Sequence, residues 1–201
     1  MSPVLLVEIK GISGLPKEDD AIQVAKYIAP RMKEWGRTDV RGLSIINHQR
    51  HLPGLERSPN PFGPDVITHA VSQEFGLLTT WDLFRLLRGY LKLKWRSADV
   101  ADLFYKNGRI EPIPAHYHQI GAVEHFWERP SAVGIRLTLG DLHVGDRIAY
   151  ELPVEFEEQD VDSLQVENEC VPKAEISSLA GVQTKFAKQV LQKGVRVFRI
   201  Q

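Results

Sequence analysis

The stretch Val4-Leu5-Leu6-Val7-Glu8-Ile9-Lys10-Gly11 sets the organisation of the first half of the chain. Its apolar run is typical of a buried β-strand, and we predict a strand over residues 3–10. Successive side chains of a strand point to opposite faces of the sheet, so Glu8 and Lys10, two positions apart, share one face. The strand therefore ends in a carboxylate beside an ammonium group.

A helix is predicted next, and Gln23 and Tyr27 lie four residues apart on it. Side chains at this spacing share one helix face, so both side chains can face the polar end of the strand. We expect Pro16 in the first turn, Gly36 at the end, and a kink or early break at Pro30. The apolar positions at three-and-four spacing predict the buried stripe: Ala21, Ile22, Ala25, Ile28, Ala29, Met32 and Trp35.

The first half continues to alternate strands and helices. We predict strands at residues 40–47 and 76–80, and helices at 65–75, 81–94 and 98–105, the last one capped by Ser97. Residues 48–64 form a proline-containing loop, and loops of this length are more often functional than idle. The order β-α-β-α-β-α-α predicts an α/β layer with at least partly parallel strands.

The pattern changes after Pro114. Short apolar stretches at close spacing, separated by turns that contain Gly, Pro or Asp, predict strands at residues 120–126, 132–139, 146–151, 154–158, 162–169 and 195–200. Such spacing is typical of an all-β barrel or sandwich. We therefore predict two domains, an α/β domain over residues 1–112 and a β domain over residues 113–201.

Composition restricts the class of protein. Of 201 residues, 43% are hydrophobic and 25% charged, which predicts a soluble globular protein. No stretch approaches the roughly 20 apolar residues of a membrane span, so no membrane partner is expected. The single cysteine, Cys170, cannot form an internal disulfide, which favours a cytoplasmic protein.

Charge alone does not predict nucleic-acid binding. Residues 1–112 carry 16 Lys and Arg against 13 Asp and Glu, and residues 113–201 carry 9 against 13. The net charges of +3 and −4 are both small. A local basic cluster is a stronger signal than the net charge of either half. It comprises Arg85, Arg88, Lys92, Lys94 and Arg96. A solvated helix face and a binding surface are both open interpretations of it.

The Glu-x-Lys pair suits one particular chemistry. A carboxylate such as Glu8 can ligate Mg²⁺, which polarises a phosphodiester and lowers the pKa of the attacking water. A lysine such as Lys10 can help activate the water or offset developing charge. A charged strand end without catalytic function is the alternative for these positions alone.

Together with the Gln-x-x-x-Tyr helix, the pair resembles the PD-(D/E)xK nuclease superfamily, particularly its RecB-like members. In that family an apolar strand ends in Glu-x-Lys, and the next helix carries Gln-x-x-x-Tyr. Further likeness lies in residues 42–47, in Arg50 and Arg57, and in residues 77–84. The resemblance covers residues 3–95 and implies a partial restriction-endonuclease-like core. It implies Mg²⁺ or Mn²⁺ as cofactor, Glu8 as metal ligand, Lys10 as catalytic lysine, and Gln23 and Tyr27 as positioning residues.

The chain departs from this family before Glu8. The family places an earlier strand with a metal-binding aspartate there, whereas Met1 to Val7 contain no acidic residue. A fragment of a longer enzyme, a partner chain that supplies the missing part, and a degenerate domain are the three explanations. We favour the fragment, because the first strand would otherwise keep an unpaired edge. The chain as given is expected to be inactive.

Residues 118–200 resemble the second-domain β-barrel of elongation factor Tu. The likeness lies in the strands at residues 120–126 and 132–139, in residues 140–148, where Gly145 is expected at positive φ, and in residues 161–167. In translation factors this barrel helps to contact tRNA or the ribosome. The basic tail of Lys185, Lys188, Lys193, Arg196 and Arg199 is either a nucleic-acid face or one half of a dipolar surface.

Two classes of function remain open at this point. The first is part of a Mg²⁺-dependent nuclease that acts on DNA, more than on RNA, with the barrel as an accessory binding domain. The second is a non-catalytic nucleic-acid- or ribosome-associated binding protein. Either would contact phosphate through Arg50, Arg57, Arg85, Arg88 and Lys92. A histidine metal site around His116, His118 and His125 and phosphate contact by His48 and His51 are weaker hypotheses.

Overall fold

The Glu-x-Lys strand, β1, spans Val4–Gly11 in a computed structural model of the protein, which describes residues 3–201. It lies at one edge of a four-stranded sheet whose other strands are β2 (Val40–Asn47), β3 (Phe75–Thr79) and β4 (Gly108–Arg109). All neighbouring pairs are parallel. The prediction of an α/β layer with parallel strands is therefore confirmed, while the restriction-endonuclease-like core stays a prediction.

Helices connect these strands, because parallel neighbours require crossovers. They are α1 (Glu18–Ala21), a 3₁₀ turn (Ile22–Val24), α2 (Ala25–Trp35), a 3₁₀ turn (Gly54–Glu56), α3 (Pro64–Ser72), α4 (Thr80–Lys92), α5 (Ser97–Ala101) and a 3₁₀ turn (Asp102–Tyr105). Among residues 3–201, no helix is long and apolar enough to cross a membrane.

Three details of the predicted helices were wrong. Pro16 lies outside the first helix, whose N-cap is Lys17, and Ser97 is helical, with Arg96 as N-cap. The break falls at the 3₁₀ turn Ile22–Val24 instead of Pro30. Pro30 is exposed, as is Lys26, so water can satisfy the Lys26 carbonyl that loses its helical partner. Gly36 ends α2 in the left-handed conformation, as predicted.

The helical stripe against the sheet also differs from the prediction. Ala21 and Val24 are buried against β2 and β3, whereas Ala29 and Trp35 are exposed. A 3₁₀ turn advances by about 120° per residue instead of about 100°, so the turn at Ile22–Val24 rotates the phase of the stripe. A Cβ on Gly42 would lie 2.9 Å from Ile28 Cδ1, so this glycine lets the helix approach the strand closely.

The chain divides into two compact units, Met1–Pro114 and Ala115–Gln201. The second unit is an eight-stranded sheet of antiparallel neighbours in the order β11-β10-β13-β6-β5-β14-β8-β9. Its strands are β5 (Tyr117–Trp127), β6 (Ala132–Leu137), β8 (Arg147–Glu151), β9 (Phe156–Asp160), β10 (Leu164–Val166), β11 (Glu169–Cys170), β13 (Leu179–Gln183) and β14 (Arg196–Ile200). The short strands β7 (Leu142–His143) and β12 (Lys173–Ala174) pair separately.

Side chains from most of these strands share an apolar core, so the prediction of a β-rich second unit is confirmed. The strand predicted at residues 162–169 is interrupted, because Glu167 and Asn168 both adopt positive φ in the turn between β10 and β11. Strand β13 was missed. Gly145 has a φ of +92°, as predicted, in the turn before β8.

The basic tail of the second unit is largely paired with acids. Arg196 Nε lies 2.5 Å from Glu151, Lys188 Nζ lies 3.1 Å from Glu128, and Arg199 contacts Asp141. These contacts fit a dipolar surface better than a nucleic-acid face. At Asp141, Oδ2 lies 3.0 Å from Lys173 Nζ and Oδ1 lies 2.8 Å from Arg199 Nη1. The hydrogen bond from Lys173, followed by that from Arg199, lowers the pKa of Asp141 from 3.8 to about 2.

This pKa shift predicts a pH dependence of stability. Between its folded pKa of about 2 and its usual 3.8, Asp141 is ionised in the folded state and protonated in the unfolded state. Its stabilising contribution is therefore complete above pH 4 and is lost as the pH falls towards 2. We expect Asp141→Asn to flatten the urea-unfolding free energy against pH in this window. The same change at exposed Asp162 should leave the profile unchanged, and equal profiles for wild type and Asp141→Asn would contradict the expectation.

Candidate functional site

Glu8 and Lys10 lie on one face of β1, as the alternation of the strand predicts, and the helical segment from α1 to α2 packs on that face. Their partners in the register with β2 are Ser44 and Ile46. The Glu8 side chain is half-buried, and Ser44 is completely buried with no hydrogen-bond partner for its hydroxyl among residues 3–201. The two charged groups thus stand at the margin of an apolar core.

Lys10 has an acidic partner that sequence reasoning missed. Lys10 Nζ lies 2.8 Å from Asp20 Oδ1, and both side chains are partly exposed. The hydrogen bond from Lys10, followed by one from the backbone N–H of Lys17, lowers the pKa of Asp20. Asp20 lies in the first turn of α1, and an acid there, after a strand–turn–helix connection, could have indicated proximity to the strand end. The ion pair holds the lysine side chain at a fixed place.

Gln23 and Tyr27 precede Val24 and Ile28, which pack against the sheet, so both lie on a flank of the helical segment. Gln23 is half-buried, whereas Tyr27 is 55% exposed. Within the described chain, no hydrogen bond links either of them to Glu8 or Lys10. The structure therefore places the four predicted residues on one side of the sheet without a hydrogen bond between the strand pair and the helix pair, and Lys10 contacts Asp20 instead.

The loop from His48 to Gly63 folds back against the carboxyl ends of β1 and β2. The Arg50 backbone N–H donates to the Ile12 carbonyl at 3.1 Å. The Arg50 side chain passes Gly11, where a Cβ would meet its Cδ at 3.6 Å. Arg50 is exposed, and its guanidinium has no hydrogen-bond partner among residues 3–201. A free cation thus stands beside the end of the Glu-x-Lys strand.

Arg57 is fixed within the same loop. Its Nη1 donates to Asn47 Oδ1 at 2.5 Å and its Nε to the Leu52 carbonyl at 2.9 Å. Asn47 Oδ1 also accepts from Thr80 Oγ1 at 3.1 Å. A guanidinium has five N–H donors, so Arg57 keeps donors beyond these two bonds. It both braces the loop and can still bind an anion.

His48 supports the loop from inside. Its side chain is only 2% exposed, and its Nε2 lies 3.1 Å from the Ser58 carbonyl. Burial lowers the pKa of His48, so the ring is neutral near pH 7. The hypothesis that His48 contacts phosphate was wrong, because the ring is buried. His51 is exposed, and the same hypothesis for His51 stays a prediction.

Asp82 forms a buried polar cluster at the end of β3 that sequence reasoning did not find. Its Oδ2 lies 2.7 Å from Arg109 Nη2 and accepts from Thr79 Oγ1 at 2.5 Å. The Thr79 hydroxyl in turn accepts from the Asp82 backbone N–H at 3.0 Å, which completes a capping box. Thr79 and Asp82, three residues apart at a helix start, carried a signal for the box, but nothing local indicated Arg109.

The basic cluster on α4 is only partly available to a ligand. Arg85 is 9% exposed, so its guanidinium is not presented at the surface, which argues against its predicted role in binding nucleic acid. The Arg88 guanidinium lies over the Phe84 ring at 5.6 Å from the centroid. Lys92 is exposed. The predicted phosphate contacts of α4 thus reduce to Arg88 and Lys92.

No metal centre is assembled by the described part of the chain. Among residues 3–201, no group of three or more His, Cys, Asp or Glu side chains could hold a metal ion. His125 packs on the Trp127 ring with centroids 4.7 Å apart, and His116 packs on Tyr117. The predicted histidine site is therefore not formed. Glu8 is a single potential metal ligand. Asp20 lies on the same side of the sheet, where it pairs with Lys10.

Comparisons with known proteins show only weak similarity. No protein-family model and no curated protein matches the chain. The C-terminal domain of a putative U32 peptidase from Geobacillus thermoleovorans is similar with a TM-score of 0.37 and 13% identity, over 42% of this chain and 93% of that domain.

Two translation factors are similar over nearly the whole chain. Elongation factor SelB from Methanococcus maripaludis gives a TM-score of 0.32 and 14% identity over 98% of this chain and 40% of the factor. A bacterial selenocysteine-specific elongation factor gives a TM-score of 0.34 and 12% identity over 99% of this chain and 45% of the factor. The chain thus spans less than half the length of these factors. Similarities at this level do not extend to activity, substrate or partner, and they give no support to the nuclease resemblance.

Proposed function

We propose that the chain is part of a metal-dependent nuclease that acts on DNA phosphodiesters, with the β-rich unit as an accessory binding domain. One observation carries the proposal. Glu8 and Lys10 lie on the same face of β1, and the helical segment with Gln23 and Tyr27 covers that face. The proposal needs one more acidic ligand, supplied by a longer form of the chain or by a partner chain.

Glu8 is the residue of this chain that would hold the metal ion. Mg²⁺ is commonly bound by one or two carboxylates together with waters and substrate phosphates, so Glu8 with the further acidic ligand would fit it. A bound Mg²⁺ or Mn²⁺ would supply polarisation of the phosphodiester and a lowered pKa of the attacking water. Lys10 offsets the negative charge that develops on the phosphate. Asp20, whose carboxylate holds the Lys10 ammonium group in place, is its positioning residue.

Cations near the same strand end suit the DNA backbone. The exposed guanidinium of Arg50 and the remaining donors of Arg57 lie in the loop packed on the ends of β1 and β2. Arginine binds phosphate through paired N–H donors, and such contacts fix orientation without reading the sequence. Arg88 and Lys92 lie on α4, on the other face of the sheet, so their predicted phosphate contacts would be separate from this site.

A second candidate function is a non-catalytic nucleic-acid- or ribosome-associated binding protein. The ion pair between Lys10 and Asp20 favours it, because a lysine engaged by an acid is stable without any metal or substrate. Among residues 3–201, Glu8 belongs to no group of three His, Cys, Asp or Glu side chains that could hold a metal ion, and this also favours a non-catalytic protein. Binding would then depend on Arg50 and Arg57 and persist in a metal chelator.

Cleavage of labelled DNA separates the two candidates. We expect the isolated chain to be inactive, and a form that includes the additional acidic strand to cleave with Mg²⁺ or Mn²⁺. In that form Lys10→Ala should reduce the rate by about 100-fold or more, because the charge on the phosphate is no longer offset. Binding without cleavage in every form, with and without metal, would establish the second candidate and refute the first.

The matched control is Asp20→Asn, which breaks the same ion pair but keeps the ammonium group. This pair is partly exposed, so either variant should change stability by no more than about 1 kcal/mol. Asp20→Asn should retain more activity than Lys10→Ala. Equal losses in the two variants would show that the ion pair, and not the lysine, supports the reaction.

A further inference from the structure

The outer edge of β1 carries backbone groups that no strand in residues 3–201 pairs. The Val4 N–H donates to Asp39 and the Ile12 N–H to Asn47, both on the side of β2. In a parallel pair, every second residue directs its N–H and C=O towards the neighbour. The even positions therefore face β2, and the odd positions Leu5, Val7, Ile9 and Gly11 direct both groups to the open edge.

Apolar side chains lie along this open edge. Val7 is 47% and Ile9 67% exposed, and both lie on the face opposite Glu8 and Lys10. On the same face, Leu5 lines a cavity of about 320 Å³ with α4 and α5 side chains that include Leu87 and Tyr90. A long, apolar, unpaired edge strand is a template for pairing with another chain.

We propose that this edge pairs with β1 of a second copy of the chain, antiparallel about a two-fold axis at Ile9. This register makes Ile9 and its symmetry mate a hydrogen-bonded pair, because both direct N–H and C=O outward. It places Glu8 opposite Lys10 of the second copy at a non-hydrogen-bonded position, where side chains approach most closely. Two opposite-charge pairs therefore form across the axis.

Charge favours the register with its axis at Ile9 over the register with its axis at Val7. An axis at Val7 would place Glu8 opposite the apolar Leu6 of the second copy and Lys10 opposite Val4, so neither charged side chain would gain a charged partner directly opposite it. The axis at Ile9 instead gives Glu8 a cationic partner, and within the described chain the Glu8 carboxylate has no hydrogen bond of its own. The contact is isologous and closes after two copies. It joins the two parallel sheets into one sheet of eight strands.

This inference rests on the open edge and is independent of the proposed chemistry. A strand that delivers a further acidic ligand would need the same odd-numbered backbone groups of β1. The two occupants therefore exclude each other. The second copy holds Glu8 and Lys10 in cross-strand pairs, which makes the dimer a state without access to the proposed catalytic residues.

The mass of the chain in solution tests the proposal. Light scattering after size exclusion should give twice the monomer mass of 22.8 kDa at high concentration. Glu8→Lys replaces both attractive pairs by repulsive ones and should weaken dimerisation by about tenfold or more. The double variant Glu8→Lys/Lys10→Glu restores the opposite charges and should restore the dimer. Lys33→Glu, at the exposed end of α2, is the matched charge control and should leave dimerisation unchanged.

Cysteine cross-linking tests the register. In a Cys170→Ser background, Ile9→Cys should form an intermolecular disulfide on mild oxidation, because hydrogen-bonded antiparallel partners have Cα atoms about 5.5 Å apart. Val7→Cys should cross-link poorly. A monomer at all concentrations, no restoration in the double variant, or preferential cross-linking through Val7 would overturn the proposal. The assays contain neither DNA nor metal, so their failure would leave the nuclease proposal standing.

Discussion

Asp82→Ala is expected to destabilise the first unit by about 3 kcal/mol or more, since it removes one member of a buried ion pair. The Arg109 guanidinium, 2.7 Å from the carboxylate, would lose its charged partner while remaining mostly buried. The variant also removes the side-chain half of the capping box with Thr79 at the start of α4. Urea unfolding, followed by hydrogen exchange of peptides from residues 3–114, measures the loss.

Two further variants test the cause of this loss. Asp65→Ala removes an exposed acid from the first turn of α3 and should cost about 0.5 kcal/mol. The double variant Asp82→Ala/Arg109→Met removes both charges and should regain a large part of the stability, because apolar replacements of a buried pair are well tolerated. If the double variant were less stable than Asp82→Ala, an unpaired charge would not explain the loss.

Gly121→Ala is expected to disrupt the pairing of β5 with β6 in the second unit. A Cβ at this position would lie 2.0 Å from the Arg136 carbonyl oxygen and 3.1 Å from Leu137 Cα. Both atoms belong to the backbone of the neighbouring strand, so no side-chain rotation can relieve the overlap. We expect a loss of about 3 kcal/mol or more, which for a unit of this size lowers the melting temperature by at least about 10 °C.

The control for this variant lies in the same sheet. Gly181→Ala in β13 would place its Cβ 3.6 Å from Gln165 Cβ, an ordinary contact distance. Its melting temperature should remain close to that of the wild type. Similar losses for the two variants would indicate a general intolerance of side chains at strand glycines, and the specific clash at Gly121 would be refuted.

Much of the first unit could be predicted because its signals are local. The apolar run before Glu8 and the pattern of residues 40–47 place two strands within a residue of their observed bounds. Period-two alternation alone puts Glu8 and Lys10 on one face. The errors occurred where geometry departs from a regular element, as at the 3₁₀ turn that shifted the buried stripe away from Trp35.

The candidate site was predictable only in part. The residues of Glu-x-Lys and Gln-x-x-x-Tyr follow from spacing along the chain, but their partners do not. Asp20 contacts Lys10 across a turn, and Arg109 contacts Asp82 from 27 positions further along the chain. Arg85 was assigned to a basic surface because its neighbours in sequence are basic, whereas packing buries it.

The sequence by itself determined the alternation of strands and helices in the first unit, the β-rich character of the second unit and the shared face of Glu8 and Lys10. Hydrophobic periodicity fixes these features over a few residues. Only the tertiary structure decided that β1 is an edge strand, that Arg57 is braced by Asn47, and that Lys10 is held by Asp20. Those outcomes depend on which distant segments become neighbours, and that is settled by the burial of the whole core rather than by any local pattern.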